Sequence, residues 1–156
     1  MNMHHIIITG ASRGIGHATA LLYASMGWNI SICSRHCDYQ MTQTQDAITA
    51  AGGQYFSFCG DMGNAADAEE FLTKAVQTFG TPEILVNNAG ISHIGLLQDM
   101  TPMQWDDIIR TNLSSVFYTS RVIIPYFLQE KHGRIINVSS VWGSVGASTE
   151  VAYSTT

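Results

Sequence analysis

Apolar residues along this chain recur in short blocks of two alternating kinds. Residues 4–9 (HHIIIT) form a β-branched run that ends at Gly10 and reads as a buried strand. Over residues 14–26, Ile15, Ala18, Leu21, Leu22 and Met26 recur at helical spacing, and Gly27 follows as a stop. Residues 28–33 (WNISIC), 54–59 (QYFSFC), 83–87 (EILVN) and 133–138 (GRIINV) read as four further strands. Residues 40–51 read as a modest helix closed by Gly52-Gly53. Residues 64–79 read as a helix capped by Asn64, with Phe71, Leu72, Ala75, Val76 and Phe79 on its apolar face. Residues 102–130 hold one long helix, opened by Thr101 as cap and Pro102 at the first helical position. A last helix begins near Ser148.

Strands and helices therefore alternate with short connections, which predicts one α/β domain over residues 1–156, with a parallel sheet and right-handed crossovers. The first, fourth and fifth strands are nearly all apolar, as strands covered on both faces should be.

Composition narrows the function classes. Seven basic against twelve acidic residues give a net charge of −5, and no Lys/Arg run could form a nucleic-acid stripe. Charged residues make up 12% and hydrophobic ones 46%, enough apolar material for a sizeable core. No apolar run approaches the roughly 18 residues that cross a bilayer. The start MNMHHIIITG lacks the basic opening and long apolar core of a leader. Three scattered cysteines do not make a disulfide framework, and their thiols are expected to be buried or inert. The expectation is a cytoplasmic protein without a membrane or nucleic-acid partner.

Candidate chemistry begins at Thr9-Gly10-Ala11-Ser12-Arg13-Gly14-Ile15-Gly16, between the first strand and the first helix. Glycines at 10, 14 and 16 remove Cβ atoms where the chain turns and where backbone must approach a ligand. The free N–H groups of the helix start, at the positive end of its dipole, suit a diphosphate. A plain glycine-rich turn is the alternative.

The spacing G-x-x-x-G-x-G resembles that of the short-chain dehydrogenase/reductase family, and four further stretches carry the resemblance. Asn87-Asn88-Ala89-Gly90 resembles the family's N-N-A-G after the fourth strand. Asn112, in Arg-Thr-Asn-Leu, stands where the family has its active-site asparagine. Ser139-Ser140 ends the fifth strand like the family's serine pair, and Tyr153 follows Ser140 at the family's spacing. The resemblance implies a Rossmann-type doubly wound sheet in the order 3-2-1-4-5, with the family's later strands beyond this chain. It implies a reductase in which NADPH gives hydride to a carbonyl carbon and Tyr153 gives a proton to the oxygen.

A free tyrosine titrates at about pH 10, and lowering that by three units takes about 4 kcal/mol of differential stabilisation. The family supplies it with a lysine four residues on, a position that follows Thr156. The expectation is thus the N-terminal part of a longer family member, catalytically incomplete as it stands. A natural short nucleotide-binding protein, or a remainder supplied by another chain, are the alternatives. The fifth strand would then be a sheet edge.

On this reading Asn112, Ser140 and Tyr153 are the catalytic residues. Regular helical spacing puts Asn112 on one side of the long helix with Ile108, Ser115 and Thr119. The resemblance implies that this asparagine bends the helix and holds a water in a proton relay; a satisfied structural amide is the alternative. Expected cofactor contacts are Gly10, Ser12, Arg13, Gly14, Ile15, Gly16, Ser34, Arg35, Asp61, Met62, Asn88, Ala89 and Gly90. The second strand ends Ser34-Arg35 where NAD enzymes place a carboxylate for the ribose hydroxyls. A hydroxyl with Arg13 and Arg35 suits a 2′-phosphate, which favours NADP (NADPH). Asp61-Met62 resembles the family's adenine-binding pair, the Asp accepting from the adenine amino group.

Cys33, His36 and Cys37 lack a fourth ligand near in sequence, so no metal site is expected. His93 and Trp142 are candidates to border the substrate pocket, a loop histidine and a core tryptophan being the plainer readings. Glu150 falls on the same helical face as Tyr153, where it would suit a cationic substrate group or merely start the last helix.

The general look resembles bacterial 3-oxoacyl-[acyl-carrier-protein] reductases. Residues 139–154 and 88–93 resemble a subgroup assigned to reducing an aminopentanone modification on elongation factor P. The implied substrate is a small-molecule or carrier-bound ketone, and the implied assembly a homo-dimer or homo-tetramer. A non-catalytic nucleotide-binding or oligomerisation module is the competing class, since Val122, Ile124 and Phe127 give the long helix a second apolar side.

Overall fold

Ile6, Ile7 and Ile8 are wholly buried at the centre of a five-stranded parallel sheet. The computed structural model describes residues 4–156; the first three residues of the stretch read above for a leader lie outside it. The strands are β1 (His5–Ile8), β2 (Asn29–Ser34), β3 (Gln54–Cys59), β4 (Ile84–Asn87) and β5 (Arg134–Asn137). Their order is β3-β2-β1-β4-β5, as the resemblance implies. The helices between them are α1 (Gly14–Ser25), α2 (Tyr39–Ala50), α3 (Ala65–Phe79), α4 (Pro102–Ile108) and α5 (Ser115–Glu130), followed by the short α6 (Trp142–Val145) and α7 (Val151–Thr155).

Alternation along each strand sorts the core into two layers. Ile6, Ile8, Ile30, Ile32, Ile84 and Val86 face one side, against Ala20, Ala24, Met41 and Ile48 of α1 and α2. Ile7, Cys33 and Leu85 face the other, against Phe71, Leu72 and Ala75 of α3 and Ile123 of α5. Among the described residues no helix is long and apolar enough to cross a membrane.

Four features depart from the sequence reading. The face of α1 that meets the sheet is Gly16, Ala20 and Ala24, while Ile15, Leu22 and Met26 stay exposed. Small side chains let the helix axis approach the strands, and a Cβ on Gly53 would lie 2.8 Å from that of Ala24. β5 is a sheet edge, as expected where the family's later strands do not follow it, and its apolar residues are not covered on both faces: Ile136 and Val138 are exposed.

The long helix is not continuous, because a π segment, Ile109–Ser114, separates α4 from α5. The buried stripe across it runs through Ile108, Thr111, Ser115, Thr119 and Ile123. Asn112 is left half-buried beside that stripe rather than within it.

The cysteines also differ from expectation. Cys33 is buried, and desolvation pushes its thiol up to about 12, with the Gly10 backbone opposing weakly. Cys37 and Cys59, however, are exposed and form a disulfide, with Cα atoms 5.6 Å apart. Parallel pairing sets Cys59 beside Ser34, next to the turn that carries Cys37. Sequence spacing holds no trace of that neighbourhood.

Candidate active site

The turn after β1 is built by reciprocal contacts with the turn after β4. The Thr9 hydroxyl accepts from the Asn88 and Ala89 amides, each at 3.0 Å. The Asn88 side-chain amide donates to the Thr9 and Gly10 carbonyls at 3.1 and 2.9 Å. Asn88 thus spends its donors on holding the glycine loop. Thr44 of α2 adds a hydroxyl 3.2 Å from the Ala11 carbonyl.

Gly10 has φ +65°, and a Cβ there would stand 2.7 Å from the Ala89 Cα. Gly16 takes an ordinary conformation, but its Cβ would lie 2.5 Å from the Gly10 carbonyl oxygen and 2.6 Å from the Asn88 amide nitrogen. Both glycines are required by close approach of backbone to backbone. The start of α1 has no side-chain cap and no acidic residue in its first turn. Its leading N–H groups are thereby left for a ligand.

These turns wall a cleft of about 520 Å³ along the C-terminal ends of β1, β2, β3 and β4. This is where open α/β sheets bind ligands. Gly10, Ser12, Arg13, Gly14, Ile15, Ser34, Arg35, Asp61, Met62, Asn88, Ala89 and Gly90 line it. Gly16 does not; it seats the helix on the loop instead. The lining also includes His36, Asp38, Gln40, Ile91 and Thr111, which motif reading missed. Only Asp38 carried a local signal, as the side chain that caps α2 through the Met41 amide at 3.2 Å.

The wall formed by the ends of β2 and β3 is charged. The Ser34 hydroxyl donates to the His36 carbonyl at 2.5 Å and closes the turn. Arg35 donates to the Thr111 hydroxyl at 2.7 Å and lies 3.6 Å from the Asp61 carboxylate. Asp61 accepts from the Gly63 amide at 2.9 Å and from Arg110 at 2.8 Å. Partial burial works against the ionised form. The Gly63 amide, Arg110 and Arg35 together outweigh it and hold the Asp61 carboxyl below its usual range. Arg110 is held above its ordinary value by its bonds to Asp107 and Asp61.

The three residues read as catalytic lie outside that lining. Asn112 stands one layer behind Ile91. Its carbonyl oxygen accepts from the Ile91 amide at 2.8 Å, and its amide donates to the Ile91 carbonyl at 2.9 Å and the Thr156 hydroxyl at 3.1 Å. The Ser140 hydroxyl, just past β5, accepts from the Trp142 amide at 3.3 Å. Tyr153 is half-buried on α7. The loop after β4 is tied to the approach of α7: Gly95 donates to the Thr149 carbonyl at 2.8 Å, and the Ser92 hydroxyl bonds the Glu150 carboxylate. Glu150 itself sits at the N-terminal cap of α7. Among the described residues no group of three or more His, Cys, Asp or Glu could hold a metal.

Comparison with known proteins places this geometry. The short chain dehydrogenase family model matches residues 4–156. The 3-oxoacyl-[acyl-carrier-protein] reductase FabG of Staphylococcus aureus (strain Mu50) is 36% identical over 147 residues, which cover 94% of this chain and 60% of that protein. The D-beta-hydroxybutyrate dehydrogenase of Cupriavidus necator is 37% identical over 153 residues, 98% of this chain and 59% of that protein. A crystal structure of a metagenomic short-chain oxidoreductase in complex with NADP superposes with a TM-score of 0.91 at 33% identity, covering 97% of this chain and 68% of that one. The chain thus spans about 60% of the length of the curated relatives it matches.

Proposed function

The chain belongs to the short-chain dehydrogenase family, and from that premise we propose that it is the nucleotide-binding part of an NADPH-dependent carbonyl reductase acting on a 3-oxoacyl-type ketone. One observation carries the reading. The uncapped start of α1 faces a cleft whose β2 end presents Ser34 and Arg35, with no carboxylate at the end of that strand. The residues present fit the dinucleotide: Gly14, on the cleft lining with nothing within 4 Å of a Cβ, the free helix amides, and Arg13 and Arg35 on the cleft wall.

When bound, NADPH supplies the hydride. The amides of the glycine loop would hold the diphosphate, Arg13 and Arg35 the 2′-phosphate, and Asp61 with Met62 the adenine. Ser140 and Tyr153 hold the carbonyl oxygen by hydrogen bonds, and Tyr153 gives it a proton. Asn112 keeps the loop after β4 in place against α7. The ketone is a small molecule or is carried on a protein. The single domain of residues 1–156 is read as the N-terminal part of the whole enzyme.

Titrating the chain with NADPH and with NADH tests the cofactor. NADPH is expected to bind at least about tenfold more tightly, about 1.4 kcal/mol. Equal affinities would remove the role given to Arg13 and Arg35, and binding of neither would overturn the reading.

An exposed apolar stripe supports self-association. Leu113, Phe117, Ile124 and Leu128 project from the π segment and α5, with Phe117 62% and Leu128 72% exposed. We infer that a second copy of the chain covers this face, giving a homo-dimer or homo-tetramer. Phe117→Glu is then expected to shift the sedimentation coefficient to that of a monomer; an unchanged assembly would place the interface elsewhere.

A further inference from the structure

Two carboxylates crowd the one guanidinium at the end of β2. Arg35 lies 3.6 Å from Asp61 and 3.8 Å from Asp107, both longer than hydrogen bonds. An acidic pair this close would hold Arg35 for itself and repel an incoming phosphate dianion.

Arg110 changes that balance. Reaching over from the π segment, it donates to Asp61 at 2.8 Å and to Asp107 at 2.6 Å, one bond from each terminal nitrogen. Its stem lies over Gly63, where a Cβ would meet the Arg110 Cγ at 3.0 Å, so the residue at the turn after β3 leaves room for it. Both carboxylates are thereby satisfied by Arg110 and the Gly63 amide, and Arg35 is left with a neutral partner, the Thr111 hydroxyl, at 2.7 Å. The four charged side chains sum to zero. Without Arg110 the cluster would carry a net negative charge at the place where the 2′-phosphate binds, and Arg35 would be the remaining cation for both carboxylates.

We propose that Arg110 is a positioning residue for cofactor choice: it occupies Asp61 and Asp107 so that Arg35 stays available to a 2′-phosphate. The inference rests on the reading of this chain as an NADPH-binding protein, and it assigns the preference for NADPH to a residue that never touches the cofactor. It also links the π segment that carries Asn112 to the adenosine end of the cleft.

The test is a comparison of NADPH and NADH affinities for the chain and for Arg110→Gln, Arg110→Lys, Asp107→Asn and the double variant Asp107→Asn/Arg110→Gln. Arg110→Gln is expected to weaken NADPH about fivefold to tenfold, the size of a partly screened charge contact, and to leave NADH within about twofold. Arg110→Lys restores much of the loss. The double variant restores it too, because one freed carboxylate is gone, and Asp107→Asn alone keeps or tightens NADPH binding. A purely structural Arg110 would weaken both nucleotides alike or neither, and that result, or failure of the double variant to recover, overturns the proposal. A parent chain with no preference for NADPH would instead overturn the functional reading beneath it, and that is visible before any variant is made.

Discussion

Gly16→Ala is expected to destabilise the chain by about 3 kcal/mol and to abolish nucleotide binding. The added methyl would lie 2.5 Å from the Gly10 carbonyl oxygen and 2.9 Å from the Ala11 Cα, both backbone atoms that cannot swing away. It would also press on the Asn88 amide at 2.6 Å, the group whose bonds hold the Thr9 and Gly10 carbonyls. Relief requires α1 to lift from the loop, which moves the amides offered to the diphosphate. Gly14→Ala is the control. It has φ +58° but nothing within 4 Å of a Cβ. Its cost is the left-handed backbone alone, about 1 kcal/mol, with the cleft intact. Urea unfolding of both variants separates the two mechanisms, and equal losses of stability would show that packing of helix on loop does not matter.

Lowering the pH from 6.5 to 4 should remove about 3 kcal/mol of stability through His5 alone. This side chain is buried between strands; one ring nitrogen donates to the Gly80 carbonyl at 2.9 Å and the other accepts from the Ser31 hydroxyl at 2.8 Å. Burial pushes its pKa down from 6.5 to about 4, the Gly80 carbonyl opposing in part. The unfolded chain therefore binds a proton near pH 6.5, and the folded chain only near pH 4. Across that window the unfolded state holds more protons, so stability falls as the pH falls; above it the His5 contribution is constant. Unfolding free energies measured from pH 4 to 8 for the parent and for His5→Gln provide the check. The variant is less stable at pH 7 but loses less on acidification. An equal slope in both would assign the acid sensitivity to other groups.

The glycine loop and the Asn88-Ala89-Gly90 turn were legible because each is a run of neighbouring residues with its own backbone demands. For Gly16 the sequence does not distinguish contact with backbone from contact with phosphate, since both ask for a missing Cβ; the structure supplies the backbone contact. Asn112 is legible as a polar group that must find partners, but not its offset from the buried stripe, since Thr111 and Asn112 both fit helical spacing to Ile108 and Ser115 and only packing chooses between them. On α1, apolar spacing pointed to Ile15, Leu22 and Met26, whereas close approach to the sheet selected Gly16, Ala20 and Ala24. Periodicity records where a methyl could be buried, not how near the neighbouring layer will come.

Local chemistry in the chain was enough to set the starts of α3 and α4: Asn64 caps α3 through the Ala66 amide, and Thr101 closes a capping box with Gln104 around Pro102. Such contacts act within four residues, so the sequence contains both partners side by side. What meets across the sheet was decided only in three dimensions. Asp61 with Arg110, Arg35 with Thr111, Thr9 with Asn88 and Cys37 with Cys59 are separated by 49, 76, 79 and 22 residues. Parallel strands joined by crossover helices bring their C-terminal ends to one edge whatever the length of chain between them, and the charge balance of the cleft is set there.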